Sequence, residues 1–410
     1  MGIRVAIARV AANTAIGNQS ITTPELEGYT PKAAIFICTA AITTATAAAN
    51  ARLSIGAASS ASNLWCSTIQ TADALADTDG DTRSSSGANV IIVITAGGTL
   101  DSRASLVSFI KGGATINWAV APSAAFLVTA IFFAGEEVQA HAGIFAPGVT
   151  VGATVNVTAP GFPADAVLLA HNFETFDNSS QNDFQTSVGV AKTSGTIAQR
   201  CAAYFENDGD ATSDENGQTV SNRAGAEVDS GGSVSWSIEL GAHASGFAST
   251  LRVASAATDD VGYLALRTRG PQVAVSGVTS PTGTGDFSIA TGFRPQAAII
   301  LLTAYATDDV SNSGAAAAGA FGISSFTKDG AAFCNSWAAQ NGVATTNTQS
   351  LSSAKAVDFA NHAGTIIYSG TLASTDPTRY TLNFTTVSTA RRWSSLAFEI
   401  RDDPAASLLC

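Results

Sequence analysis

The chain opens one passage twice. GYTPKAAIFICTA at residues 28–40 returns as GFRPQAAIILLTA at 292–304, with seven of thirteen positions identical. A shorter relative, GFPADAVLLAH, fills 161–171. The three starts, Gly28, Gly161 and Gly292, lie 133 and 131 residues apart. A period that long is a whole domain, not a solenoid unit.

Other landmarks keep the same phase. A short alternating strand precedes each start: GNQSITT (17–23), GATVNVT (152–158) and GDFSIAT (285–291). A small-residue strand follows it: LSIG (53–56), SVGV (187–190) and AFGI (320–323). Then comes one cysteine per copy, Cys66, Cys201 and Cys334, and each copy closes on an apolar strand. These phases place three domains at 1–134, 135–268 and 269–410. The junctions are short, so the domains are expected to sit close together.

Each copy reads as strands: runs of four to eight residues rich in Val, Ile, Phe and Thr, separated by Gly, Asn, Asp and Ser clusters. The best helix candidate, TATAAANARL (44–53), has no apolar stripe. About eight strands in about 130 residues point to an all-β chain of three tandem homologous antiparallel β-sandwich domains, with a jelly-roll topology open. The run AAIILLT is apolar on both faces. It is expected to be a central strand covered on both sides, or one buried at a domain contact.

The lead-in has a mechanical reading. Gly28, Gly161 and Gly292 can take φ > 0, while Pro31, Pro163 and Pro295 fix φ and cannot donate to a ladder. Together they turn the chain and start the strand. The aromatics Tyr29, Phe162 and Phe293 are expected to cap the end of each sandwich core. These are structural positions, not binding ones.

The formal charge is 20 − 32 = −12. An acidic surface repels phosphate backbones, which argues against a nucleic-acid partner. No run is long and apolar enough to span a membrane as a helix. The N-terminus lacks the apolar core of a secretory signal, so synthesis and folding in a cytosol are expected. Five cysteines, an odd number without Cys-x-x-Cys spacing, fit neither a disulfide framework nor a zinc site. Cys410, at the C-terminus, is expected to be accessible.

Candidates for chemistry are few. A nucleophilic cysteine needs a partnered histidine, and the four histidines recur in no common phase. Cys66, Cys201 and Cys334 are therefore expected to be buried small hydrophobes in strands. DTDGDT (77–82) resembles the first half of a calcium loop, and ENDGDATSDEN (206–216) is a related acidic loop. The distal Glu of an EF-hand is missing, and what the copies share is Asp-Gly or Asn-Gly, a turn signal at Asp79, Asp208 and Asn341. Neither a metal nor a cofactor is expected. No nucleophile elbow, Walker loop or dinucleotide fingerprint is present in the sequence. Arg391 and Arg392 beside Trp393 form one basic cluster, expected at a solvated edge.

Taken with the lead-ins Gly28-Tyr29-Thr30-Pro31, Gly161-Phe162-Pro163 and Gly292-Phe293-Arg294-Pro295, this architecture resembles virion structural proteins of tailed bacteriophages, including tail- and fibre-associated β domains. The resemblance implies a non-enzymatic protein of the virion, made in the host cytoplasm. It would decorate a capsid or form part of a tail, collar or spike. Its partners would be other virion subunits in many copies, not nucleic acid or membrane. No heptad stalk or collagen-like run is present, which favours a compact attachment over a long fibre. The alternative is a host-facing, lectin-like array binding surface glycans, with Trp65, Tyr204 and Trp337 as candidate stacking residues, although strand core is the favoured reading of these three aromatics.

Overall fold

The computed structural model describes residues 3–39, 41–254, 260–268, 272–311 and 318–399. Among them are no α-helices, only the short 3-10 turns Pro24–Leu26 and Ala96–Gly98. The sheets are antiparallel throughout.

The first repeat runs β1 (Arg4–Ala11), β2 (Gly17–Thr22), β3 (Ala33–Cys38), β4 (Ala48–Ala49), β5 (Ala51–Ala58), β6 (Leu64–Thr71), β7 (Gly80–Ser86), β8 (Ile91–Thr95), β9 (Thr99–Ile110), β10 (Gly113–Val120) and β11 (Leu127–Ala134). The second runs β12 (Gln139–Phe145), β13 (Thr154–Val157), β14 (Ala166–His171), β15 (Asp177–Asn182), β16 (Phe184–Lys192), β17 (Ala198–Glu206), β18 (Glu215–Ser221), β19 (Gly225–Val228), β20 (Val234–His243), β21 (Gly246–Val253) and β22 (Val261–Arg267). The third runs β23 (Val273–Thr279), β24 (Gly285–Ala290), β25 (Pro295–Thr303), β26 (Ala318–Thr327), β27 (Ala332–Gln340), β28 (Thr348–Ser353), β29 (Val357–Ala360), β30 (Ile366–Asp376), β31 (Arg379–Thr386) and β32 (Arg392–Glu399).

Each repeat is a two-sheet sandwich. Its large sheet follows the order β1-β11-β3-β5-β6-β7, with β12-β22-β14-β16-β17-β18 and β23-β32-β25-β26-β27-β28 as counterparts. The small sheet is β2-β10-β9-β8, repeated as β13-β21-β20-β19 and β24-β31-β30-β29. That makes ten strands per sandwich rather than eight. Strands β3-β5-β6-β7 and β8-β9-β10 follow one another as meanders, while β11 inserts between β1 and β3 and β2 crosses to pair with β10, an interleaving of the jelly-roll kind.

β4 and β15 belong to neither sheet of their own repeat. β15 extends the first large sheet along β7, and β4 extends the third along β28. From the third repeat, Asp308 makes a parallel bridge to Thr219 of β18. Each repeat thus sends an arm onto the free edge of the one before it, and the first reaches back to the third. Covering sheet edges in this way leaves the chain as one closed, pseudo-threefold body.

The closure explains the doubly apolar strands. β3, β14 and β25 are buried along their whole length. One face packs in its own sandwich: Phe36 in the first, Leu169 in the second and Ile300 in the third. The other face joins a core shared by all three repeats, including Ile35, Leu168 and Ile299. The strands of the small sheets carry the alternating pattern of a half-exposed surface, as in β2 and β24.

The lead-in glycines adopt φ of 85°, 71° and 81° at Gly28, Gly161 and Gly292. Phe162 and Phe293 are buried in their own sandwich cores. Tyr29 packs half-buried against its core, with the Arg4 guanidinium 4.3 Å from its ring centre. Pro31 is buried, Pro163 half-buried, and Pro295 opens β25.

Candidate functional site

Strand register aligns the repeats residue by residue. Phe36 pairs with Gly56, which pairs with Cys66. The same row reads Leu169, Gly189, Cys201 in the second repeat and Ile300, Ser324, Cys334 in the third. The three cysteines are fully buried inside their sandwiches. Burial pushes the thiols of Cys66 and Cys201 up to about 12, and that of Cys334 up as well. Cys66 lies 3.3 Å from Ser54 Oγ, and the Cys334 thiol donates to the Asp358 carbonyl at 3.1 Å. Thiols held neutral in this way are poor nucleophiles. Cys410 lies outside the described residues.

Counting onward from each cysteine reveals how the repeats are joined. Twelve residues on stand Thr78, Ser213 and Thr346. Thr78 reaches the second repeat: its N–H donates to the Asp210 carbonyl at 2.9 Å, and its own carbonyl accepts from Gly209 N–H at 2.9 Å. Its Oγ1 accepts from Asp210 N–H at 2.8 Å. Ser213 makes the same three bonds to Gly342 and Val343 of the third repeat, and Thr346 makes them to Ala74 and Leu75 of the first.

A fourth bond completes each clasp. Asp208 Oδ1 accepts from Gly80 N–H at 3.2 Å, Asn341 Oδ1 from Glu215 N–H at 2.9 Å, and Asp73 Oδ1 from Thr348 N–H at 2.8 Å. The turn residues Ala74, Gly209 and Gly342 all have positive φ, at 61°, 73° and 72°. The recurring turn in the first repeat is therefore Asp73–Ala74, not Asp79–Gly80. Gly80 is instead the donor that meets Asp208.

Two of the acidic residues of DTDGDT, Asp79 and Asp81, are occupied by other partners. Asp79 Oδ1 accepts from Gly97 N–H at 2.9 Å. Asp81 Oδ2 accepts from Gly98 N–H at 2.7 Å and from Gln70 Nε2 at 2.8 Å. Burial, with Asp79 adding to it, pushes the Asp81 carboxyl up to about 6. Among the described residues no three His, Cys, Asp or Glu side chains group as metal ligands.

The aromatics weighed for glycan stacking are buried in the seams. Trp65 Nε1 donates to the Tyr263 carbonyl of the second repeat at 2.7 Å. Tyr204 and Trp337 meet edge to face, centroids 4.4 Å apart, with Phe184 5.0 Å from each. None of the three offers a face to a ligand, which removes them as a binding surface. Arg392 is likewise no solvated edge. Its Nη2 meets Asp308 Oδ2 at 2.7 Å, while Asp308 Oδ1 holds Arg200 of the second repeat. Trp393 is in the third core.

At the seam of repeats one and two a cleft of about 350 Å³ opens between Thr82 of β7 and the segment carrying Asn172, Phe173, Glu174, Gln181 and Gln185. Glu174 is 6% exposed, and burial pushes its carboxyl up to about 8, with Asp177 adding and Ser84 and Arg83 opposing. Both carboxylate oxygens are closed off from solvent, with Ser84 as the hydrogen-bonding neighbour. Phe173 sits at φ 58°, its ring centre 3.8 Å from that of the buried His171. An aromatic residue in that region is strained, and such strain concentrates at functional sites.

No family model matches the chain, and no curated protein is significantly similar to it.

Proposed function

We propose that the chain is a non-enzymatic structural protein of a tailed-phage virion, a compact body that decorates the capsid or forms part of a tail, collar or spike. The observation that carries this reading is the cyclic clasp. A single chain holds three like domains around a shared core as a homotrimer would, so the body persists at any dilution. That suits a part that must stay intact on a particle and meet neighbours at a fixed angle. Arm exchange covers the β7, β18 and β28 edges. The remaining outer surface is rich in small and hydroxyl side chains that can pack against flat neighbours.

The buried, protonated cysteines, without a histidine to activate them, support a non-catalytic role. The test is quantitative mass spectrometry of purified particles. The protein should be present at a fixed copy number per particle and survive a high-salt wash. Its absence from washed particles would overturn the reading.

A further inference from the structure

We propose that the open edges of the small sheets, at β2, β13 and β24, each accept an extended segment of a neighbouring virion subunit as an added strand, one that alternates apolar residues with Lys or Arg. This rests on the assembly reading and deepens it by naming how a neighbour is gripped.

Each small sheet has one guarded edge and one open edge. β8, β19 and β29 are buried, and in all three repeats their pairing is broken by a register shift, after Val93, Glu227 and Phe359. Bulges of this kind twist an edge out of use. β2, β13 and β24 end the same sheets on the other side and pair without a shift. Their sequences, GNQSIT, TVNV and GDFSIA, hold no Lys, Arg or Pro, the residues that commonly guard an edge.

Register fixes which backbone groups face outward. Thr23 N–H donates to the Gly112 carbonyl, the Ala153 carbonyl accepts from Leu251 N–H, and Thr291 N–H donates to the Thr378 carbonyl. Odd-numbered residues of these strands therefore face the ladder, and even-numbered ones turn N–H and C=O to the open edge. Ser20, Asn156 and Ser288 are among the latter. All three are exposed, and no strand or loop among the described residues pairs with their backbone on that side.

Side chains set the chemistry of the added strand. Gln19, Val155 and Phe287 share one aligned position in the ladder. The Gln19 amide seals the first sandwich: its Nε2 donates to the Ala11 carbonyl and its Oε1 accepts from Trp118 Nε1, both at 2.7 Å. Val155 and Phe287 are half-buried apolar side chains instead. An added strand would lay its inward, apolar residues over them. The one charged residue in the three strands is Asp286, exposed on the outward face, and the whole chain carries −12. Both match basic residues on the outward face of the partner segment. The second and third edges are thus the stronger sites.

Calorimetry and backbone hydrogen exchange on the full chain test this with a peptide of about ten residues, a strand's length, alternating valine with lysine and threonine. The expected result is saturable binding, with added protection of the Asn156 and Ser288 amides. A peptide with alternate amides N-methylated keeps the charge and loses the edge bonds. It should bind about tenfold more weakly or worse. The double variant Asn156→Pro, Ser288→Pro removes an outward N–H from each stronger edge and should weaken binding to a like degree. The double variant Asn156→Lys, Ser288→Lys keeps the backbone and sets like charge opposite the peptide. It should weaken binding several-fold, with a melting temperature within a few degrees of wild type. No saturable binding, equal binding of the methylated peptide, or binding unchanged in both double variants would each overturn the proposal. Self-association of the protein that the lysine variant abolishes would assign the edges to a second copy and also overturn it. Virion incorporation is read separately by mass spectrometry. A protein present on washed particles that does not bind the peptide ends this proposal alone, whereas absence from particles ends the assembly reading whatever the peptide does.

Discussion

Thr78 Oγ1 accepts a hydrogen bond from the Asp210 backbone N–H at 2.8 Å, across the seam between the first and second repeats. Ser213 and Val343 repeat the relationship at 3.1 Å, and Thr346 and Leu75 at 2.9 Å. All three hydroxyl residues are buried, while the donor N–H groups sit on half-buried or exposed residues, so removing an acceptor loses one partly shielded hydrogen bond. Thr78→Val should cost about 0.5–1.5 kcal/mol. The triple variant Thr78→Val, Ser213→Ala, Thr346→Val should lose more than the sum if the clasps act as a closed loop. Urea unfolding of the single and triple variants reads both effects.

The turn that feeds each clasp needs a left-handed residue. Glycine supplies it at 209 and 342, and Ala74 holds it at φ 61°. Ala74→Gly should therefore raise stability by a few tenths to about 1 kcal/mol, and Gly209→Ala should lower it by about 1 kcal/mol. A glycine substitution that stabilises is unusual enough to be diagnostic. Thermal melting of the two variants gives the comparison.

Carboxyls buried in the seams make the fold alkali-sensitive. Glu206 lies wholly buried, its Oε1 accepting from Thr71 Oγ1 of the first repeat at 3.1 Å. Burial pushes it up to about 8, and Glu174 likewise; burial also raises Glu215 well above its usual range. A folded value above the unfolded one favours the protonated native state. That stability is complete below about pH 4.3 and is lost as pH rises through about 8. The melting temperature should fall between pH 5 and pH 8.5, and Glu206→Gln should flatten the fall. A melting temperature that rises over that range would contradict the assignment.

The third repeat's arm is fastened by charge. Asp308 bridges Arg200 and Arg392, and its side chain is 12% exposed. Asp308→Ala strands two partly buried guanidinium groups and should cost about 1–3 kcal/mol, below the figure for a fully buried pair. Limited proteolysis should then cut first in the arm at 304–311, whereas the wild-type arm resists.

Much of the architecture was legible because it is local. The Gly-aromatic-Pro lead-in at Gly28, Gly161 and Gly292 turns the chain by its own backbone preferences, and the apolar runs after it announce strands. Short strands of the small sheets, such as Gly225–Val228 and Val357–Ala360, are only four residues long and do not stand out as runs, so eight strands are expected where there are ten. The clasps stayed hidden because half of their bonds are backbone to backbone. Their side-chain signals are a hydroxyl twelve residues after each cysteine, at Thr78, Ser213 and Thr346, and an Asp or Asn seven residues after it, at Asp73, Asp208 and Asn341. In the first repeat Ala74 stands where glycine does elsewhere, which moved the apparent turn to Asp79–Gly80. Trp65, Tyr204 and Trp337 read as strand core and are buried, but nothing in a single copy shows that the face they pack on meets another copy.

The central claim is that three repeats close into one body rather than string out as a rod. Small-angle X-ray scattering of the dilute protein tests it most directly. A closed globular body of this length predicts a radius of gyration near about 22 Å, independent of concentration. A value above about 30 Å, as three domains of this size in line would give, would contradict it.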